Sequence, residues 1–106
     1  MRARSPRLGA GFGGLSGPAI KPIALRLVYQ AAQAVKIPVI GLGGIASGED
    51  AAEFMVAGAS AVEVGTATFW DPRSPLRVAR ELGRFLRDQG ISNARDIVGT
   101  LQWPST

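Results

Sequence analysis

The sequence predicts an α/β fold that makes up less than half of a (β/α)8 barrel, and three observations carry that prediction. Apolar periodicity alternates along the chain, giving the order loop, helix, strand, helix, strand, loop, helix. Both predicted strands end in glycine, where backbone must turn sharply or approach a ligand closely. The chain has 106 residues, whereas a whole barrel takes roughly 250. It opens on a loop that ought to follow a strand, and no strand pattern precedes that loop, so a fragment is expected. A doubly wound sheet shares the alternation and is the competing architecture.

Residues 1–12 show neither helical nor strand period and are expected to form a loose, disordered leader. Arg2, Arg4 and Arg7 lie there without acids; the glycines that follow argue against a transit peptide. Gly13-Gly14-Leu15-Ser16-Gly17-Pro18 is a turn-prone connection, and Pro22 suits the first turn of a helix. Ala24, Leu27, Val28, Ala31 and Val35 then recur at helical spacing as one apolar stripe. Pro38 disfavours helical geometry in Ile37, so this helix must end by Lys36–Ile37. A short β-branched run over 38–42 predicts a buried strand. Ser47 with Asp50 is a weak capping box opening a helix over 48–57, which Gly58 ends.

Ser60-Ala61-Val62-Glu63-Val64-Gly65-Thr66 reads as the second strand, and the single intervening helix makes the two strands parallel. Ala67-Thr68-Phe69-Trp70 is a candidate extra helical turn. Ser74 and Pro75 suggest the N-cap and first position of a helix reaching Asp88. Its apolar face comprises Val78, Ala79, Leu82, Phe85 and Leu86, with Arg77, Arg80, Arg84 and Arg87 on a solvated face, and Gly90 ends it. A last turn is expected between Ser92 and Val98, followed by a frayed tail at 100–106 in which Trp103 carries no readable message.

Composition narrows the chemistry. With 46% hydrophobic residues the chain can form a core, and no apolar run approaches the ~20 residues of a membrane-spanning helix. There is no Cys and no His, which removes disulfides, thiolate nucleophiles, the usual zinc ligands and the commonest general base. The net charge is +4, and the stripe Arg77, Arg80, Arg84 and Arg87 could serve an acidic partner or nucleic acid, but a solvated helix face accounts for it. No nucleic-acid, membrane or metal role is expected.

The glycines admit two ligand readings. Gly41-Leu42-Gly43-Gly44-Ile45-Ala46 formally fits the dinucleotide fingerprint, and Glu63 lies about twenty residues on. The fit is weak, because the cap signal comes only at Ser47 and Glu63 sits inside its strand. The stronger reading joins both strand ends. Gly43 and Gly44 close one strand, Gly65 and Thr66 the next, and loops after the last barrel strands commonly bind phosphate. A nearby helix N-terminus would help hold the anion. Tight strand-to-helix turns alone would also call for these glycines.

Three stretches now carry a resemblance: Gly13-Gly14-Leu15-Ser16-Gly17-Pro18-Ala19-Ile20-Lys21-Pro22, Ile40-Gly41-Leu42-Gly43-Gly44-Ile45, and Gly58-Ala59-Ser60-Ala61-Val62 with Val64-Gly65-Thr66-Ala67. Over residues 13–99 the chain resembles the C-terminal part of class 1 dihydroorotate dehydrogenase, most nearly the 1B type. That family is a (β/α)8 TIM barrel, a cytoplasmic flavoprotein oxidising dihydroorotate to orotate in pyrimidine (UMP) biosynthesis. The resemblance implies an FMN cofactor, with Gly17 beside the flavin and Gly43, Gly44, Gly65 and Thr66 at its phosphate.

It also implies a homo-oligomer and, for the 1B type, an iron–sulfur/FAD electron-transfer subunit. Residues 1–12 do not resemble the family strand that should lead into Gly13. The family's cysteine base, its flavin-contacting lysine and the asparagines that grip orotate belong to the part upstream of the resemblance. No catalytic residue is therefore assigned, and the chain alone is expected to be inactive. Alternatives are another phosphate-binding barrel enzyme, a dihydropyrimidine dehydrogenase-like barrel, or a non-catalytic truncated fragment. Glu63 is a candidate buried carboxylate if its strand face points into a barrel.

Overall fold

Two parallel strands lie against three helices in a computed structural model that describes residues 4–105. Expectations for residues 1–3 of the leader and for Thr106 fall outside the described residues. The elements are α1 (Lys21–Ala34), β1 (Ile40–Leu42), α2 (Gly48–Ala57), β2 (Ala61–Glu63) and α3 (Ser74–Asp88). Short 3-10 turns occupy Pro18–Ile20, Thr66–Phe69 and Ala94–Ile97. Residues 4–12 are exposed, with one turn closed from the Gly11 N–H to the Leu8 carbonyl.

The strands pair in parallel with Ile40 opposite Ala61, Gly41 opposite Val62 and Leu42 opposite Glu63. Period 2 then sorts the side chains. Val39, Val62 and Val64 pack on the helices, while Ile40, Leu42, Ala61 and Glu63 share the other, exposed face. Glu63 is thus exposed in this chain, on the strand face turned away from the helices. Gly41 is buried because Phe54 seats directly beneath it: a Cβ there would lie 2.7 Å from the Phe54 ring and 3.2 Å from Ala59 Cβ.

The centre of the molecule is α2. Phe54 and Ala51 join Val28, Ile45, Ala59 and Val78 in one cluster, and Ala52 and Met55 join Leu86 and Ile97 in another. Its ends are fixed locally. Ser47 Oγ accepts from the Asp50 N–H at 3.1 Å, and Asp50 Oδ2 accepts from the Ser47 N–H at 3.1 Å, completing the capping box. At the other end the Gly58 N–H reaches the Met55 carbonyl and the Ala59 N–H the Phe54 carbonyl, a Schellman pair. That pair needs a left-handed residue at Gly58, whose φ is 127°.

Several details depart from the sequence expectations. The inward face of α1 is Ala24, Leu25 and Val28; Leu27 is 58% exposed, and Val35 lies past the helix end, also exposed. Leu27 instead lines an open apolar groove with Ile23 and Ile40. On α3, Ala79 is exposed. Ser74 is not the N-cap but stands inside α3, fully buried, its hydroxyl without a partner among the described residues. The N-cap is Arg73, without a side-chain cap, and Asp71 shapes the turn before it, its carbonyl accepting from the Ser74 N–H and its Oδ1 from the Arg73 N–H.

The tail is held rather than frayed. The Leu101 N–H donates to the Val56 carbonyl at 3.1 Å, and Trp103 stacks on Tyr29 with ring centroids 5.2 Å apart. This gives Trp103 a packing role against α1.

Candidate functional site

The C-terminal ends of both strands open onto one cavity of about 290 Å³. Its lining includes Gly17, Gly43, Gly44, Gly65 and Thr66, so all five residues singled out from the sequence lie around one space. Local chemistry explains the gathering. A parallel βαβ unit brings both strand ends to the same edge, and the Gly17–Pro18 turn before α1 closes the third side. Ser16 and Trp70 complete the rim.

The glycines serve different purposes. Gly44 has φ 75°, and a Cβ there would lie 2.9 Å from the Gly17 carbonyl oxygen and 2.8 Å from Lys21 Cβ. The two loops can therefore close only around a glycine. A Cβ on Gly43 would meet Ala24 and Ile20, which makes that glycine a packing requirement of α1. Gly65 differs: the only neighbour of its Cβ position is Leu42 Cδ1 at 4.0 Å, at the cavity wall.

Gly44, Gly65 and Thr66 all line the cavity, and their backbone N–H groups make no turn, loop or cap hydrogen bond among the described residues. Thr66 Oγ1 donates to Ser16 Oγ at 2.8 Å, which leaves the Ser16 hydroxyl proton free to be offered elsewhere. Sequence reading missed Ser16, although it stands directly before Gly17. Among the described residues no charged side chain lines the cavity.

The N-terminus of α2 does not contribute to this anion site, contrary to expectation. Asp50 Oδ2 accepts from the Ala46 and Ser47 N–H groups, and Glu81 Oε2 accepts from Gly48 at 2.8 Å. Carboxylates of the chain thus occupy the place where a dinucleotide pyrophosphate would sit. This removes the dinucleotide reading on geometry.

Behind the loop, Lys21 Nζ pairs with Asp50 and, at 2.8 Å, with Glu53, tying α1 to α2. Partial burial opposes the charge on Asp50, but hydrogen bonds from Lys21, Ala46 and Ser47 together hold it below the usual carboxylate range. Lys21 is likewise raised: burial works against its charge, and Asp50 and Glu53 overcome it. A carboxylate depressed in the folded state stabilises above its unfolded pKa of about 3.9, and that contribution is lost as pH falls through the folded value. The raised Lys21 contributes below about 10.4 and loses its contribution in alkali. Urea midpoints measured against pH should accordingly drop on the acid side, and Asp50→Asn should flatten that drop while lowering the neutral plateau. An unchanged acid slope in the variant would remove Asp50 from the account.

A second network joins the rims of the cavity. Arg77 Nε donates to Asp71 Oδ2 at 3.1 Å, while its Nη1 donates to the Ala46 carbonyl at 3.0 Å and to Glu81 Oε1 at 3.1 Å. Arg77 is therefore no member of a solvated stripe, unlike exposed Arg80, Arg84 and Arg87. Glu81 lies below the usual range through the Gly48 N–H first and Arg77 second. Among the described residues no cluster of Asp and Glu is arranged to hold a metal ion.

Comparison with known proteins gives a consistent result. The family model for dihydroorotate dehydrogenase matches residues 1–86, leader included. A Solibacter usitatus protein whose name assigns it to dihydroorotate dehydrogenase A (fumarate) is 78% identical over 96% of this chain and 34% of its own. The Geobacter metallireducens dihydroorotate dehydrogenase B (NAD(+)) catalytic subunit is 56% identical over 96% of this chain and 33% of its own. Ligand-free DHODH from Eimeria tenella superposes with a TM-score of 0.79 and 36% identity, over 93% of this chain and 29% of that one. The chain spans about a third of the length of the curated relatives it matches.

Proposed function

The chain belongs to the dihydroorotate dehydrogenase family, and we propose that it supplies the phosphate-holding part of that family's FMN site. Its fold is a portion of the family's α/β TIM barrel. The observation that carries the proposal is the single cavity at the strand ends, which gathers Gly17, Gly43, Gly44, Gly65 and Thr66. A phosphate fits what lines it. Three amide groups free of turn, loop or cap hydrogen bonds and a free hydroxyl proton supply donors, and the absence of a Cβ on Gly44 lets both loops approach. The volume lies at the low end for small-molecule sites, as expected of a site completed by further chain.

When bound, FMN would supply hydride acceptance, which no side chain here can provide. This chain's own part is to bind and orient. The amides of Gly44, Gly65 and Thr66 hold the phosphate, Ser16 adds its hydroxyl proton while Thr66 Oγ1 holds Ser16 in place, and Gly17 keeps the third rim close. Proton abstraction from substrate is not assigned to any residue, since the chain has no Cys and no His. For the whole protein the reading implies oxidation of dihydroorotate to orotate in pyrimidine biosynthesis, in the cytoplasm, by a homo-oligomer. The B-type names among the relatives, which specify a catalytic subunit, support an electron-transfer partner subunit. The A-type relative at 78% identity supports fumarate as acceptor, and electron-acceptor assays on the whole protein separate the two. The chain alone is proposed to be inactive towards dihydroorotate.

The test exploits the phosphate. Flavin fluorescence titration of the purified chain should show FMN bound at least about tenfold more tightly than riboflavin, a difference of roughly 1.4 kcal/mol. Equal affinities would mean that the cavity does not read phosphate.

A further inference from the structure

We propose that Arg77 is a positioning residue that fixes the two rims of the cavity relative to each other, although its own side chain does not line the cavity. Three acceptors define its role. The Ala46 carbonyl belongs to the rim that follows β1, and Asp71 follows Trp70 on the rim that follows β2. Glu81 lies one turn further along α3 and spends its second oxygen on the Gly48 N–H, so it holds the start of α2 in the same arrangement. One guanidinium thus spans both strand-end loops and, through Glu81, the helix between them.

The residue type matters. A planar fork can serve three acceptors in fixed directions, while a lysine ammonium on a flexible stem cannot hold all three. Part-exposed ion pairs add little to global stability. The clamp therefore acts chiefly on loop order, and preorganised donors bind an anion without first losing conformational freedom. For phosphate affinity the inference rests on the FMN reading above; for loop order it stands by itself.

The experiment compares the wild-type chain with Arg77→Met, Arg77→Lys and Arg80→Met. Arg80→Met removes the same charge from an exposed position on α3. Amide hydrogen exchange resolved by residue is read at Ala46, Ser47 and Gly48, with the Val35 amide as reference, since its bond to the Ala31 carbonyl lies remote from the clamp. Arg77→Met should speed exchange at the three loop amides by about tenfold while the reference stays unchanged. Arg77→Lys should fall between, and Arg80→Met should match wild type. FMN affinity should follow the same order, weakening about tenfold in Arg77→Met.

Unchanged loop exchange in Arg77→Met, or an equal rise at the reference amide or in Arg80→Met, overturns the proposal. Should Arg77→Met not fold, Asp71→Asn removes one charge of the clamp, and loop exchange identical to wild type there overturns it equally. A wild-type chain that fails to prefer FMN over riboflavin defeats the phosphate reading instead, and the exchange measurement still decides the clamp.

Discussion

Gly48→Ala is expected to destabilise the chain by about 3 kcal/mol or more, at the upper end of what overpacking a core costs. The added methyl would lie 2.3 Å from the Leu82 backbone nitrogen and 2.5 Å from the Glu81 carbonyl carbon. Both are backbone atoms, so no rotamer change relieves the contact, and α2 must part from α3. Parting them pulls the Glu81 carboxylate from the Gly48 N–H and disturbs Val78 and Leu86 in both core clusters. Gly83→Ala is the control. It lies inside α3, where a Cβ would meet only Arg87 Nη1 at 3.6 Å. Helix propensity should there stabilise by roughly 0.5–1 kcal/mol. Urea midpoints of the two variants should move in opposite directions, and a Gly48→Ala midpoint within error of wild type would show that the helices do not meet so closely in solution.

This contact also marks where sequence reading stops. The bounds of α2 are legible to the residue, because Ser47, Asp50 and Gly58 fix them through hydrogen bonds spanning three to five positions. The pairing of the strands and the gathering of the five site residues follow from chain order and the handedness of a βαβ unit. What periodicity cannot tell is which neighbour covers a face. The stripe Ala24, Leu27, Val28, Ala31 and Val35 has a regular spacing, yet α2 meets α1 on the side of Leu25 and Val28. Glu63 presented the same difficulty, since alternation separates two faces without saying which one is covered.

The arginines of α3 divide on a finer signal. Arg77 has Glu81 four residues on and Asp71 six residues before it, whereas Arg80 and Arg87 have no acid four residues on and Arg84 has Asp88 alone. The capping box carried a similar warning, since an Asp50 that accepts from Ala46 and Ser47 leaves those amides unavailable to a bound anion. Trp103 and Ser74 were not legible at all: the partner of one is 74 residues away in sequence, and the hydroxyl of the other meets no acceptor among the described residues.

Gly65→Val should abolish the preference for FMN over riboflavin while leaving the chain folded, the cleanest separation of ligand from scaffold that the cavity offers. Among the described residues beyond its chain neighbours, the nearest atom to the Cβ position is Leu42 Cδ1 at 4.0 Å, and φ at Gly65 is −110° with ψ −91°, a negative φ that leaves room for a side chain at some cost in ψ. The fold therefore loses little. The two added methyls would instead enter the cavity that Gly65 shares with Leu42 and Thr66, where a phosphate oxygen must come to accept a hydrogen bond. Losing that approach, and the donor left without a partner, should weaken FMN by about a hundredfold, or roughly 2.7 kcal/mol. Riboflavin, without the phosphate, should be affected far less.

Gly43→Val cannot serve in its place. Its side chain would strike Ala24 at 2.8 Å and Ile20 at 3.1 Å, so it should lower the urea midpoint and confound any loss of binding. Arg80→Ala, exposed on α3 and away from the cavity, should retain wild-type affinity and midpoint. If Gly65→Val keeps its FMN preference with an unchanged midpoint, the phosphate does not lie against the end of β2, and the assignment of Gly65 and Thr66 to the cofactor is wrong.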